Sequence, residues 1–315
     1  MKKLTKIISI AMLIAMTLAL CACGSTAATT AADSSAPAAD TAAPAADSAP
    51  ASPSNALEQI KADGVLSVAL SPDFAPMEFV DTAKEGQEQF VGFDVTLAKH
   101  IAEQLGMKLE IEPMSFDACQ VAVQMGNVDL GISGFSWTAE RAENYLISDY
   151  YIAGDNETKQ TIIVAADKAG QYTKAEDFAG MKIGAQAASL QELLCNEALP
   201  EDTTVELFKD INVAVVALQT GKVDGVAVAD GNAEAIMANN QDIGKSGFFF
   251  DVDPKYENNV ILLNKKDEEL LKKVNDILAD CMANDMYSGW YEDAKKLAGI
   301  DTAQEISYTD DGKAQ

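Results

Sequence analysis

Histidine is nearly missing from this chain, cysteine is sparse and positive charge is scarce: 315 residues hold one His and five Cys, with 23 Lys and Arg against 49 Asp and Glu. A lone His100, and no Cys-x-x-Cys spacing after Cys23, argue against a structural zinc site. The formal net charge of −26 repels the phosphates of nucleic acid and of anionic lipid, so neither is an expected partner. No motif asks for a cofactor or a metal, and none is expected. Long apolar runs are lacking too, since Ile7 to Leu20 falls short of the ~20 residues that a membrane-spanning helix needs.

What is there begins with that short run. Lys2, Lys3 and Lys6 precede it, which is the layout of an export signal over residues 1–22. Its end, Leu20-Cys21-Ala22-Cys23, resembles the bacterial lipobox, with a large aliphatic residue three places before a cysteine and a small one directly before it. On that resemblance the mature chain starts at a lipid-bearing Cys23, anchored to a membrane without spanning it. From Gly24 to about Asn55 the chain is Ala, Ser, Thr and Pro, with Asp33, Asp40 and Asp47 as its only charges. Such a segment has too little apolar bulk to offset the entropy of ordering, so residues 23–55 read as a tether. The remaining cysteines, Cys119, Cys195 and Cys281, have apolar neighbours such as Val121 and Leu194 and read as small buried thiols.

Beyond the tether the residues suffice for two cores. Val65 to Leu70 reads as a buried strand stopped by Ser71-Pro72-Asp73. Asp94 caps a helix whose apolar positions Val95, Leu97, Ala98, Ile101, Ala102 and Leu105 share a side, with Gly106 at its end. Leu109 to Pro113 is a strand, Asp117 to Met125 a helix closed by Gly126, and Val128 to Ser133 a strand. The rhythm then restarts: strands at Thr161 to Ala165 and Met181 to Ala185, a helix from Ser189 to Glu197, a strand at Val205 to Phe208, a helix at Ile211 to Thr220 and a strand at Val223 to Ala229. Alternation of this kind implies largely parallel sheets covered on both faces.

One short sentence is written twice. AVQMGNVDL (122–130) and ALQTGKVDG (217–225) share Ala, Gln, Gly, Val and Asp in register. Each copy is the end of a helix, a glycine turn and the entry to a strand, so the repeat points to two similar lobes with a cleft between them. In parallel α/β sheets ligands gather at the carboxyl ends of the strands. The strand after the first copy leads through Ser133-Gly134-Phe135-Ser136 to Arg141, and the strand after the second ends at Asp230. A guanidinium grips a carboxylate and a carboxylate accepts from an ammonium, so Arg141 and Asp230 together suit the two ends of an α-amino acid.

The patterns APMEF (75–79), VGFDVTLAKHIAEQLG (91–106), ISGFSWTAER (132–141), SDYY (148–151) and VAVAD (226–230), with the cap at Ser189, resemble the family-3 extracellular solute-binding proteins, the amino-acid receptors of ABC importers. The resemblance runs from about Leu57 to Leu297. It implies an α/β, two-lobed periplasmic-binding-protein-like fold of type II, each lobe a mainly parallel sheet with flanking helices, joined by a two-strand hinge. Lobe 1 is then 56–152 with 257–300, lobe 2 is 153–256, and 301–315 is a tail. The family further implies that Phe74 and Phe116 flank the ligand's side chain, with Phe135 nearby. Gly134 and Ser136 offer backbone and hydroxyl groups, Arg141 is the carboxylate clamp, Asp230 the amine acceptor, and Ser189 with its helix N-terminus adds partial positive charge.

Two departures from the family pattern bear on the ligand. Ser71 stands where many members carry Asp, and Leu190 where a polar residue is frequent. A buried ammonium without a partner is costly, so a neutral ligand, apolar or aromatic in side chain, is the expectation. The implied partners are the amino acid and, as separate chains, an ABC permease and its ATPase. The protein is expected to be a monomer and not an enzyme. The competing readings are a cyclohexadienyl-dehydratase-like enzyme on the same scaffold, for which Glu78, Asp117 and Glu192 are the acids near the cleft, and presentation of the ligand to a signalling receptor.

Overall fold

The structure, a computed structural model, describes residues 56–151 and 159–300. The expected export signal, Cys23, the tether, the tail and most of the first crossing between lobes lie outside the described residues. In chain order the first lobe contributes α1 (Ala56–Asp63), β1 (Val65–Leu70), β2 (Asp73–Phe74), β3 (Glu78–Val80), β4 (Phe90–Val91), α2 (Phe93–Leu105), β5 (Lys108–Pro113), α3 (Phe116–Met125), β6 (Leu130–Gly131), α4 (Ala139–Asn144) and β7 (Leu146–Ile147). The second lobe holds β8 (Gln160–Ala165), β9 (Lys182–Gln186), α5 (Leu190–Ala198), β10 (Thr204–Phe208), α6 (Ile211–Gln219), β11 (Gly225–Ala229), α7 (Asp230–Asn239) and β12 (Ile243–Phe249). The chain then returns to the first lobe with β13 (Leu262–Leu263), α8 (Glu268–Ala283) and α9 (Met286–Leu297).

The two main sheets match strand for strand. Their orders are β5-β1-β6-β13-β7 and β10-β9-β11-β8-β12. In each, the first three strands run parallel and the fourth is reversed against both its neighbours. Each lobe is therefore mainly parallel, with one antiparallel insertion at the same place. The apolar stripes of α2, α8 and α9 close over one face of the first sheet around the fully buried Phe93, while α3 covers the other with Cys119 and Val123. In the second lobe α6 and α7 pack on one face and α5 on the other. Cys119, Cys195 and Cys281 are all buried free thiols. Among the described residues no helix is long and apolar enough to cross a membrane.

The repeated sequence is a repeated hydrogen-bond pattern. The N–H groups of Gly126 and Asn127 donate to the carbonyls of Val123 and Ala122, and those of Gly221 and Lys222 donate to Leu218 and Ala217. Both glycines take positive φ, 71° and 69°, which a β-carbon resists. Two residues on, the Asp129 N–H donates to the Ser67 carbonyl while Oδ2 of Asp129 accepts from the Ser67 N–H at 2.8 Å. Asp224 does the same to Lys182, with its Oδ2 accepting the Lys182 N–H at 2.9 Å. Each Asp thus ties the incoming strand to the one beside which it must lie, β6 to β1 and β11 to β9.

Three local expectations need correction. Asp94 is not the cap of α2: the cap position is Gly92, at φ 123°, and a β-carbon there would sit 2.3 Å from the Met77 carbonyl oxygen. The close approach of two backbones selects glycine, and Asp94 enters the first turn with its carboxylate turned inward. The strands expected at 128–133 and 223–229 are shorter, Leu130–Gly131 and Gly225–Ala229, because the Asp clamps hold the chain before regular pairing starts.

Removing these clamps should hurt unequally. Asp129 is half-buried and also accepts the Ser67 hydroxyl at 2.6 Å, whereas Asp224 is exposed. Asp129→Ala should cost about 2–3 kcal/mol and Asp224→Ala about 1 kcal/mol of unfolding free energy in urea titrations, on the usual value of a charge-assisted hydrogen bond.

Candidate functional site

Arg141 is the centre of the cleft. Thr138 caps α4 by accepting the Arg141 N–H, which fixes the arginine in the first turn of a short helix with its side chain turned inward. The side chain is only 4 % exposed. Its Nε donates to Gln120 Oε1 at 3.1 Å, Nη1 to the Ser136 carbonyl at 2.6 Å and Nη2 to the Ala188 carbonyl at 2.8 Å. The guanidinium carbon lies 5.5 Å from the ring centre of Phe116 and 5.2 Å from that of Phe135. Among the described residues no carboxylate forms a salt bridge with it. Burial without an anion pushes its pKa down to about 10, so it stays charged at neutral pH.

The cavity in front of it is small in this closed arrangement, with about 30 Å³ of free room. Of the residues expected there, Phe74, Phe116, Gly134, Ser136 and Arg141 line it. Phe74 lies over Gly134 so closely that a β-carbon at 134 would meet its ring at 2.9 Å, and Gly134 has φ 57°. The other expected residues are placed differently. Phe135 is fully buried in the core, a shelf beneath the guanidinium. Ser71 is behind the wall, with its hydroxyl donated to Asp73 Oδ1. Ser189 caps α5 by accepting the Glu192 N–H, and its neighbours Leu190 and Gln191 reach the cavity.

Asp230 is the largest correction. Its carboxylate does not line the cavity; Oδ1 accepts from Lys245 Nζ at 2.5 Å, and Lys245 also reaches Glu234 at 3.4 Å. The lining residue at that point is Ala229. The cavity wall unforeseen in the sequence is amide-rich: Gln160, Gln186, Gln191 and Asn259, with Ser133. Gln191 donates to Gln160 Oε1 at 2.7 Å. Gln186 ends β9 and Ser133 follows β6, the carboxyl-end position where ligands gather, but Gln160 opens β8, Asn259 precedes β13 and Gln191 lies just past the capped start of α5, so for these three the sequence carried no such signal.

Polar contacts cross between lobes around the cavity. Asp73, 7 % exposed, accepts through Oδ2 from the Ile211 N–H at the start of α6 at 2.7 Å and from Gln186 Nε2 at 3.0 Å. Burial pushes its pKa up to about 6 despite these donors. Asn232 of α7 donates to the Ala75 carbonyl at 2.9 Å, and Arg141 and Gln120 both donate to the Ala188 carbonyl. Ala188 takes φ 61°, an unfavourable conformation for alanine, and so presents this carbonyl to the first lobe.

With this geometry in hand, likeness to other proteins is informative. The description "bacterial extracellular solute-binding proteins, family 3" matches residues 66–294. The arginine-binding extracellular protein ArtP of Bacillus subtilis (strain 168) is 29 % identical over 220 residues, 70 % of this chain and 81 % of that one. The amino acid ABC transporter substrate-binding protein AbpA of Streptococcus pneumoniae Canada MDR_19A, solved bound to L-arginine, is 33 % identical with a TM-score of 0.70, covering 78 % of this chain and all of that one. An ancestral amino acid-binding protein, AncCDT-1, a precursor of cyclohexadienyl dehydratase, is 29 % identical with a TM-score of 0.65, covering 75 % and 98 %. The family match spans both sheets and the residues around the cleft, over well more than half of the sequence: the chain belongs to the bacterial extracellular solute-binding proteins of family 3.

Proposed function

We propose that the protein captures a free neutral amino acid with a polar side chain between its lobes and delivers it to an ABC permease. The observation that carries this is Arg141: a guanidinium buried on the wall of the cleft without an anion is a binding site for the carboxylate it lacks. Phe74 and Phe116 flank the side chain, and the carboxamides of Gln160, Gln186 and Gln191 offer it both donors and acceptors. No carboxylate is among the lining residues, which disfavours a cationic side chain, and four carboxamides disfavour a purely apolar one. The ligand's ammonium takes carbonyl and carboxamide oxygens, with Asp230 a charge one residue behind the wall, partly neutralised by Lys245.

The second reading is arginine, favoured by the arginine-bound structure at 33 % identity and by the two rings, which can stack on a guanidinium. An enzymatic role is not part of the proposal: Arg141 is the one ionisable side chain among the lining residues, and dehydration needs an acid or base at the reacting carbon. Membrane anchoring through Cys23, the tether and a monomeric state belong to the same proposal.

The chain passes between lobes after β7 and again after β12, so the lobes open and close by a hinge. The structure holds them closed, with Asp73 as the link from β2 to α6. Opening returns that carboxyl to water and its pKa from about 6 toward the ordinary value of 3.8. Closure therefore takes up a proton, and affinity rises as the pH falls from above 6 toward 4.

A thermal-shift and calorimetric series with the protein amino acids tests the ligand. A ligand at ~100 times its dissociation constant should stabilise by about 2.7 kcal/mol, several degrees in Tm, with a neutral polar amino acid giving the largest effect. Arg141→Ala should weaken it at least ~100-fold, the cost of losing a buried charge partner. Arginine binding tightest would move the ligand to the second reading and keep the receptor. Silence from all amino acids, with turnover of a cyclohexadienyl acid, would overturn both. For closure, Asp73→Ala should raise the dissociation rate about tenfold, consistent with loss of one buried charge-assisted hydrogen bond. Asp73→Asn should remove the rise in affinity between pH 7 and pH 5; an unchanged pH profile would rule out the latch.

A further inference from the structure

Behind the lining residues Ser133 and Gly134 lie two carboxyl groups that touch no ligand and face no cation. Glu78, at the start of β3, and Asp94, in the first turn of α2, are both 0 % exposed. Glu78 Oε1 accepts the Ser133 hydroxyl at 2.5 Å, and that hydroxyl in turn accepts the Ser71 N–H at 3.0 Å. Asp94 Oδ2 accepts the Gly134 N–H at 2.7 Å and the Tyr151 hydroxyl at 3.0 Å. One oxygen of each is left over: Glu78 Oε2 and Asp94 Oδ1 are buried and accept from no donor. Yet the two carboxyls are within hydrogen-bonding reach of each other. Two acceptors cannot satisfy one another, and two adjacent buried carboxylates repel.

A single hydrogen resolves all of this. We propose that Glu78 and Asp94 hold one proton between them, carried on Glu78 Oε2 and donated to Asp94 Oδ1, and that this acid pair positions the Ser133–Gly134 backbone against which the ligand lies. With the proton in place each carboxyl oxygen has a partner, and the net charge of the pair falls to minus one. The surroundings supply no substitute. The ionisable groups that face the pair are Asp73 from β2, Cys119 from α3 and Tyr151, with Tyr287 of α9 behind it, and none is a cation. Burial raises both carboxyls, Asp94 to about 7 and Glu78 well above its ordinary value, in keeping with a proton retained at neutral pH. Both groups are positioning residues: they act on the ligand through Ser133 and Gly134.

The linkage sign follows. Carboxyls whose pKa is raised by folding contribute most to stability at low pH, below their unfolded values, and the contribution is lost as pH rises through the folded ones. Asp94 sets the window of that loss between about 4 and about 7, and Glu78 is raised in the same direction.

Glu78→Gln is the informative variant, since its Oε1 still accepts from Ser133 and its Nε2 donates to Asp94 with no proton to lose. In infrared spectra of the full chain in heavy water at pH 7, the wild type should show a carbonyl stretch of a protonated carboxyl that Glu78→Gln lacks. Between pH 5 and pH 7 the wild-type Tm should fall relative to Glu78→Gln by roughly 3–5 °C per pH unit, one proton's worth for a chain of this size. Glu78→Ala should lose Tm at every pH and be restored by Gln. A wild type lacking the carboxyl band, or Tm curves of wild type and Glu78→Gln that run parallel, would overturn the proposal. The positioning role rests on the cleft being the ligand site; the spectrum and the Tm curves are read without ligand, so failure of that reading leaves them intact. Where the ligand is identified by the calorimetric series, Glu78→Gln should bind it within about twofold of wild type and Glu78→Ala at least tenfold more weakly; equal affinity in both variants would remove the positioning role.

Discussion

A guanidinium taken out of water loses several kcal/mol of hydration that something else must replace. At Arg141 the replacement is incomplete by design of the chain: two carbonyls, one carboxamide and two ring faces solvate it, and none carries a negative charge. Much of the neighbourhood is arranged around that deficit. Thr138 sets the helix start that aims the side chain, Phe116 and Phe135 form the shelf on which it rests, and Ala188 accepts an unfavourable backbone angle to offer its carbonyl. The resulting site has one charge of one sign, and its unmet need defines what it can hold.

The lobes share architecture and divide labour. Matching Asp clamps fix matching strands, but the first lobe supplies the charge and the rings while the second supplies Gln160, Gln186 and Gln191. The acids of the first lobe are withdrawn from the cavity. Asp73 reaches across to α6, and Glu78 and Asp94 support the backbone of the cavity floor. A chain with such an excess of acidic residues has thus kept carboxylates off the wall of a site that must attract one.

Much of this was legible before any coordinates, for reasons that lie in the residues. Helical stripes such as Val95, Leu97, Ile101 and Ala102, glycines past helix ends and the doubled AVQMGNVDL pattern report local geometry, and local geometry is what spacing encodes. Arg141 was placed by its position beyond the strand that follows the first copy, Phe74 and Phe116 by resemblance. What stayed hidden depends on partners distant in sequence. Asp94 sits where a cap would be expected, and only the contact of Gly92 with the Met77 carbonyl displaces the cap. Asp230 reads as free until β12 brings Lys245 beside it. The carboxamides belong to strand ends and a helix start that carry no periodic mark, and the carboxyl pair joins β3 to α2 through a contact no pattern announces.

The reversed fourth strand of each sheet is the same feature with opposite timing. In the second lobe β8 is the first strand made, so β9, β10, β11 and β12 meet a template already present, and the lobe can assemble from one continuous stretch of chain. In the first lobe the equivalent place belongs to β13, which follows the whole second lobe, and β7 pairs with the sheet only through it. During synthesis from the amino terminus the earlier half of this protein therefore waits, with an edge at β6 unfilled, until the later half has emerged. The lobe that begins first is the one that finishes last.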